Sequence, residues 1–386
     1  METTRQLLWV LVSTLAPVAL AYQFVAQHPA ENTRYLALIG TYTDKTNSKG
    51  IYAFDFDSAT GKLTDKRIAA ETLNPSWITI HPNGKFVYAA NESGKQSTVT
   101  SFALDAKSAK LTQLNQVPSL GEDPCYLSFD KSGRFLFVAN YTSGTVAVFP
   151  ILADGRLGEH TALVKDAGTL GPRKDRQEGP HAHWVQASPD NRFAFVADLG
   201  LDAILSYRFD AAKDTLAPND PPFVRLAPGA GPRHIAFSPN GRFAYVISEL
   251  NSTVTAFSYD ASKGTFIEFQ ILSTLLTQTS ERNDASEIVI DPTGKWLFAS
   301  NRGLDTIAVF RINPADGTLT RAGDFAAGGK EPRHFAIDPT GSFLLAENQN
   351  SNSIVVFRIE PGTGALAKVS DFNDVPSPVC LAWIPR

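Results

Sequence analysis

From Tyr35 onward, apolar and polar positions alternate with a period of two, in short runs bounded by Gly, Pro, Asn and Asp. Tyr35 to Tyr42, Gly50 to Phe56 and Ser97 to Leu104 each read as a strand. One arrangement recurs. In Gly231-Pro-Arg-His-Ile-Ala-Phe-Ser-Pro-Asn-Gly-Arg-Phe-Ala-Tyr-Val-Ile-Ser-Glu249, an extended run (His234 to Phe237) meets a Pro-Asn-Gly turn. A second apolar run, Phe243 to Ile247, then leads to Glu249. With the turn as a ruler, copies fall at Pro82, Lys131, Pro189, Pro239, Pro292 and Pro339, spaced by 49, 58, 50, 53 and 47 residues. Such a period with four short strands per unit predicts a β-propeller. Each unit is a four-stranded antiparallel blade that buries its faces against its neighbours.

The ends complete the count. The chain enters in mid-unit, because Tyr35 to Tyr42 matches a second strand. It finishes with Pro378-Val-Cys-Leu-Ala-Trp-Ile-Pro385, which matches a first strand and then stops. The expected fold is therefore all-β: a seven-bladed propeller over residues 35–386, with the C-terminal strand completing the N-terminal blade. Closure leaves no exposed edge on the half-blade where the ends meet; an open superhelix leaves the complementary half-units unexplained. A helical reading fails as well. Pro stands seven residues before the turn in five units (Pro75, Pro124, Pro232, Pro332, Pro378), which suits the first residue of a strand.

Composition agrees with a turn-rich soluble protein: 43% hydrophobic, 19% charged, 27 Gly and 24 Pro in 386 residues. A net charge of −4 and the lack of a basic block argue against nucleic acid as a partner. Cys125 and Cys380 are too few for a disulfide framework or a zinc site. They fall in strands of different repeats, so isolated buried thiols are expected rather than a single bridge. Arg5, the apolar run Leu7 to Leu20 and the small-x-small Ala19-Leu20-Ala21 read as a secretory signal over 1–21, followed by a polar lead-in over 22–34. Ser13, Thr14 and Pro17 interrupt the run, which favours a cleaved leader over an uncleaved anchor. A periplasmic or secreted protein with no stable membrane span is expected.

The first and second strands of a blade form a hairpin, so the start of one and the end of the other lie at the same end of the channel. Across the units those positions carry His183, Arg233, Arg333, His234, Glu287, His334, Asp198, Glu249, Arg302 and Glu347, with His181 two residues before His183. Four of seven histidines thus gather at one mouth with three arginines and several carboxylates. The Asn residues there (Asn91, Asn140, Asn301, Asn348) read as turn or blade-bridging residues, and Trp77, Tyr126 and Trp184 as packing. The Arg/His/Glu group exceeds what bridging needs and reads as an anion-binding site.

No Gly-x-Ser-x-Gly elbow, phosphate loop, dinucleotide fingerprint or His-Glu-x-x-His is present. His181 and His183 have a spacing that binds a metal only with partners from other blades. Asp198, Glu249, Glu287 and Glu347 form a carboxylate set that would suit Ca²⁺ were arginines not among them. No cofactor is expected. Cationic donors, tunable carboxylates and imidazoles, and no covalent nucleophile suit water activation at a polarised carbonyl, as in opening a lactone.

Leu38-Ile-Gly-Thr-Tyr-Thr-Asp44, Gly179-Pro-His-Ala-His183, Asp198-Leu-Gly-Leu-Asp202, Gly231-Pro-Arg-His234 and Ser248-Glu249 resemble the seven-bladed lactonase family, over residues 35 to 385 and in the family's order. That family includes the propeller-type bacterial 6-phosphogluconolactonases and a fungal carboxy-muconate cyclase. The resemblance implies hydrolysis of a sugar-acid or related lactone, or its relative, lactone-forming cyclisation. It implies His183, Arg233 and Glu249 as catalytic, and Arg302 or Arg333 as a further arginine. His181, Asp198, His234, Glu287, Arg302, Arg333, His334 and Glu347 are the expected substrate-binding set. A small-molecule lactone or acidic substrate is the expected partner; oligomeric state is open. An exported binding or scaffold propeller is the rival reading, since fold does not determine function. The stretch from Leu163 to Gly179, leading into His181, is a candidate cover for the mouth.

Overall fold

In a computed structural model, described over residues 34–385 apart from positions 214 and 278, the short apolar runs form twenty-eight strands in seven four-stranded antiparallel sheets. The expected leader over 1–21 and the lead-in up to residue 33 lie outside the described residues. Among the described residues, no helix is long and apolar enough to cross a membrane.

Blade 1 is made of Arg34–Thr41, Gly50–Asp57, Lys62–Glu71 and, innermost, Pro378–Pro385. Its first strand thus starts and ends one residue earlier than the alternation suggested. Blades 2 to 7 follow in chain order over residues 75–118, 124–165, 182–225, 232–273, 284–326 and 332–372. The closing strand pairs from Tyr35↔Pro385 to Thr41↔Pro378. The innermost strands touch in sequence round the ring, and Pro378–Pro385 sits between Pro332–Ile337 and Pro75–Ile80.

Seven apolar clusters hold the ring, one between each pair of adjacent blades. Strands covered on both faces need continuous apolar runs. Phe135–Asn140, Phe193–Asp198, Phe243–Ser248 and Phe343–Asn348 are accordingly buried at every position. The hairpin turn between the first two strands needs a left-handed residue. Gly84, Gly133, Gly241, Gly294 and Gly341 supply it with φ between 66° and 75°, and Asn191 does so in blade 4 at φ 63°. Cys125 and Cys380 are separate buried thiols.

One irregularity positions the site. In every blade the innermost strand carries a bulge near its start, where two residues oppose one. The extra residue is Ser76, Cys125, His183, Arg233, Arg333 or Val379 in six blades, while Ser286 and Glu287 share the bulge of blade 6. An extra residue breaks the period of two, so neighbours that a regular strand would send to opposite faces can serve one site. Arg233 Nη1 consequently lies 3.5 and 3.4 Å from the two ring nitrogens of His234.

Candidate active site

Glu249, just past the second strand of blade 5, is the hub of the mouth. Its Oε2 lies 3.3 Å from Arg233 Nε and 2.8 Å from Arg302 Nη2, and its Oε1 is paired with Arg176. Arg233 is held further by donating from Nη1 to the Ser286 carbonyl at 2.7 Å. Burial alone would raise the Glu249 carboxyl. The surrounding cations, Arg302 first and Arg233 next, outweigh it and hold the group far below the carboxylate range. Burial, with Arg302 and Arg333 nearby, draws the Arg233 guanidinium down to about 10, still charged at neutral pH.

His183 lies beside this cluster, in edge contact with Tyr141 (5.5 Å between ring centres) and His234 (5.2 Å). Its Nδ1 is 3.8 Å from Cys125 Sγ. Burial, reinforced by Arg233 and His234, pushes its pKa well below the ordinary histidine value. At neutral pH it is an uncharged base.

Further along the inner strands, four side chains form a chain. His234 Nδ1 is 3.1 Å from Glu287 Oε1, Glu287 Oε2 is 3.7 Å from His334 Nε2, and His334 Nδ1 is 2.6 Å from Glu347 Oε2. Glu347 faces His334 directly across the hairpin. Burial raises the carboxyls of Glu287 and Glu347 and lowers both imidazoles, His334 to about 4. The low-dielectric channel thus favours neutral acids beside neutral rings. Trp77 abuts His234 and His334 and stacks at 4.3 Å on Tyr126. These two rings also line a cavity of about 510 Å³ with Gln186 and Trp383, and so form the floor of the site.

The remaining expected residues are placed differently. His181 precedes the inner strand of blade 4, stacks on Tyr141 at 4.5 Å and meets the exposed Glu178 at 3.3 Å. Asp198 is fully buried, and its Oδ1 accepts the amides of His181 and Leu201, both at 2.9 Å. It holds the His181 backbone from behind. Arg333 lies over the Tyr42 ring, 5.3 Å from its centre. Of Arg302 and Arg333, only Arg302 reaches Glu249.

The four Asn residues tie backbone. Asn91 donates to the Leu73 carbonyl, Asn140 to the Ser119 carbonyl, Asn301 to the Thr274 carbonyl and Asn348 to the Ala327 carbonyl. Asn140→Ala should therefore cost about 1–2 kcal/mol of stability while leaving substrate turnover near wild type, as thermal melts and rate assays would show.

Arg176 was not singled out from the sequence. It belongs to the loop that follows strand Ala162–Lys165, so the candidate cover begins only at residue 166. Arg176 bridges Glu249 and Asp284 (3.6 Å) and donates to the Tyr141 hydroxyl at 3.4 Å. The length of that insert was the one signal available for it. Outside Arg176 lies a cavity of about 470 Å³, with Arg173, Arg282 and Asp284 in its wall. Among the described residues, no three His, Cys, Asp or Glu side chains gather as metal ligands.

Fold and mouth together define a closed seven-bladed propeller that concentrates guanidinium, imidazole and carboxylate groups at one end of its channel. The chain belongs to the seven-bladed β-propeller lactonase family, whose model matches residues 36–383. It is 35% identical over 303 residues to the 6-phosphogluconolactonase of Bacillus subtilis, covering 78% of this chain and 85% of that one. It is 34% identical over 303 residues to that of Formosa agariphila, covering 77% and 85%. Among solved structures, the periplasmic gluconolactonase of Pseudomonas aeruginosa superimposes with a TM-score of 0.86 at 35% identity, covering 91% of this chain and 99% of that one.

Proposed function

We propose that this chain is a lactone hydrolase, a carboxylic ester hydrolase of the 6-phosphogluconolactonase type, acting at the Glu249 mouth. The observation that carries the reading is the pairing of Arg233 and Arg302 on Glu249 beside an uncharged, buried His183. The names of the relatives support the substrate class, and the solved periplasmic neighbour, with the N-terminal leader pattern, supports an exported location.

The geometry divides the labour. A base clamped by three guanidiniums is feeble, because its proton affinity has been spent on them. Glu249 therefore orients Arg233 and Arg302 rather than taking a proton. His183 accepts the proton from water as the water oxygen bonds to the lactone carbonyl carbon. Arg233 and Arg302 stabilise the oxyanion that forms. The ring C–O bond then breaks, the departing oxygen takes a proton from the His234–Glu287–His334–Glu347 chain, in which burial raises both carboxyls, and the proton held on His183 returns to that chain. The product is a hydroxy acid.

The test is acid release from a panel of sugar and aromatic lactones, with and without a chelator. Hydrolysis that persists with chelator is expected; loss of activity on chelation overturns the metal-free mechanism, and no turnover of any lactone overturns the reading. The sign of the pH dependence follows from His183. Its depressed pKa keeps the base form as pH falls, so the acid limb of kcat/KM should lie below the usual histidine value of about 6.5. A limb at or above that value would remove His183 as the base.

A further inference from the structure

Three of the four arginines at the mouth, Arg176, Arg233 and Arg302, are committed to the carboxylate of Glu249. The fourth is not. No ion pair or side-chain hydrogen bond links the Arg333 guanidinium to any described residue; it lies on the face of Tyr42, with the carboxylates of Glu92 and Glu249 near enough to favour its charge without bonding it. Glu92 accepts the Tyr42 hydroxyl at 2.7 Å.

The seat is built rather than incidental. Arg333 is the bulged residue of its strand, and its carbonyl accepts the Ser286 hydroxyl at 2.6 Å. Tyr42 is fixed from behind, because Asn74 Oδ1 accepts the amides of Thr43 and Asp44 at 2.8 and 3.0 Å. A guanidinium lying on an aromatic face keeps its in-plane N–H fork free for a planar or tetrahedral oxyanion. A partly buried guanidinium with no ion-pair or hydrogen-bond partner among the described residues has its donors left for such a ligand.

We propose that Arg333, seated on Tyr42, is a specificity-determining residue. It binds an anionic substituent of the substrate, a carboxylate or a phosphate ester, remote from the scissile ester held at Glu249. Neutral sugar lactones are then the poorer substrates. The idea rests on the lactonase reading for the identity of the substrate, but the anion seat itself does not depend on turnover.

The experiment therefore has a binding arm and a kinetic arm. Calorimetric titration with gluconate, glucarate and 6-phosphogluconate compares one sugar acid bearing no second anion, a second carboxylate or a phosphate. Wild type should bind at least one of the two doubly anionic ligands about tenfold or more tighter than gluconate, as a charge-assisted contact gives. The tighter of the two identifies the natural substituent. In Arg333→Gln, checked for folding by its melt, that preference should collapse to within about twofold, and Arg333→Lys should restore only part of it. The kcat/KM ratios for the corresponding lactones should follow the same order. Wild type without a preference, or Arg333→Gln with the preference intact, overturns the proposal. If anions bind with the expected preference while no lactone is opened, the hydrolase reading falls and the Arg333 site stands.

Discussion

Arg233→Ala should lower lactone turnover by at least about a hundredfold, the usual effect of losing a fixed oxyanion donor. Arg233 is placed by three independent restraints: the strand bulge, its hydrogen bond to the Ser286 carbonyl and its ion pair with Glu249. Its charge is thus set before substrate arrives, and no reorganisation is needed as the carbonyl oxygen becomes negative. The loss should fall on kcat more than on KM, because the interaction is strongest in the transition state. Glu249→Gln should produce a defect of similar size by another route. Without the carboxylate, Arg233 and Arg302 face each other unneutralised and move apart, while Arg176 keeps only Asp284 as a carboxylate partner. Steady-state assays on both variants, folded by circular dichroism, decide the matter. Unaltered rates in both would remove the assignment of the Glu249 mouth as the reacting centre.

Ending the chain at residue 377 should abolish cooperative folding. The lost strand carries Val379, Cys380, Leu381 and Ile384, all buried. At about 1.5–3 kcal/mol for each large side chain, its burial is comparable to the whole net stability of about 5–15 kcal/mol of a folded domain. The truncation also bares the backbone edge of Arg34–Thr41 to other chains. Broad, protein-concentration-dependent melting and aggregation are expected. A permutant that places residues 378–385 ahead of residue 34, through a turn of about two to five residues, should regain a sharp transition. The end of that strand already lies opposite the start of Arg34–Thr41. A truncated chain that melts as sharply and as high as the full one would show that ring closure is not what holds the blades.

Much of this was readable because a propeller is written in short-range signals. The Pro-Asn-Gly turn, the strand period and the half-units at the two ends each depend on a few adjacent residues, and together they dictate seven blades and their closure. The rim residues were readable for a related reason: once hairpins are assumed, strand ends must meet at one mouth. His183, Arg233, Glu249, His234, Glu287, His334 and Glu347 gather as hairpin geometry requires.

What the sequence could not express was pairing between blades. Arg176 reaches Glu249 across 73 positions of chain, and no local pattern links them. The separate fates of Arg302 and Arg333, one clamped on Glu249 and the other laid on Tyr42, depend on side-chain directions set by neighbouring blades. Asp198 sits at the expected strand end, yet turns inward to hold the His181 backbone. The sequence by itself determined the ring, its closure and the kinds of groups at its mouth, because those follow from local periodicity. Only the tertiary structure decided which cation meets which anion, and hence that Arg176, Arg233 and Arg302 converge on Glu249 while Arg333 lies on the Tyr42 ring. Electrostatic partnership depends on distances of a few ångströms between residues that the chain keeps far apart.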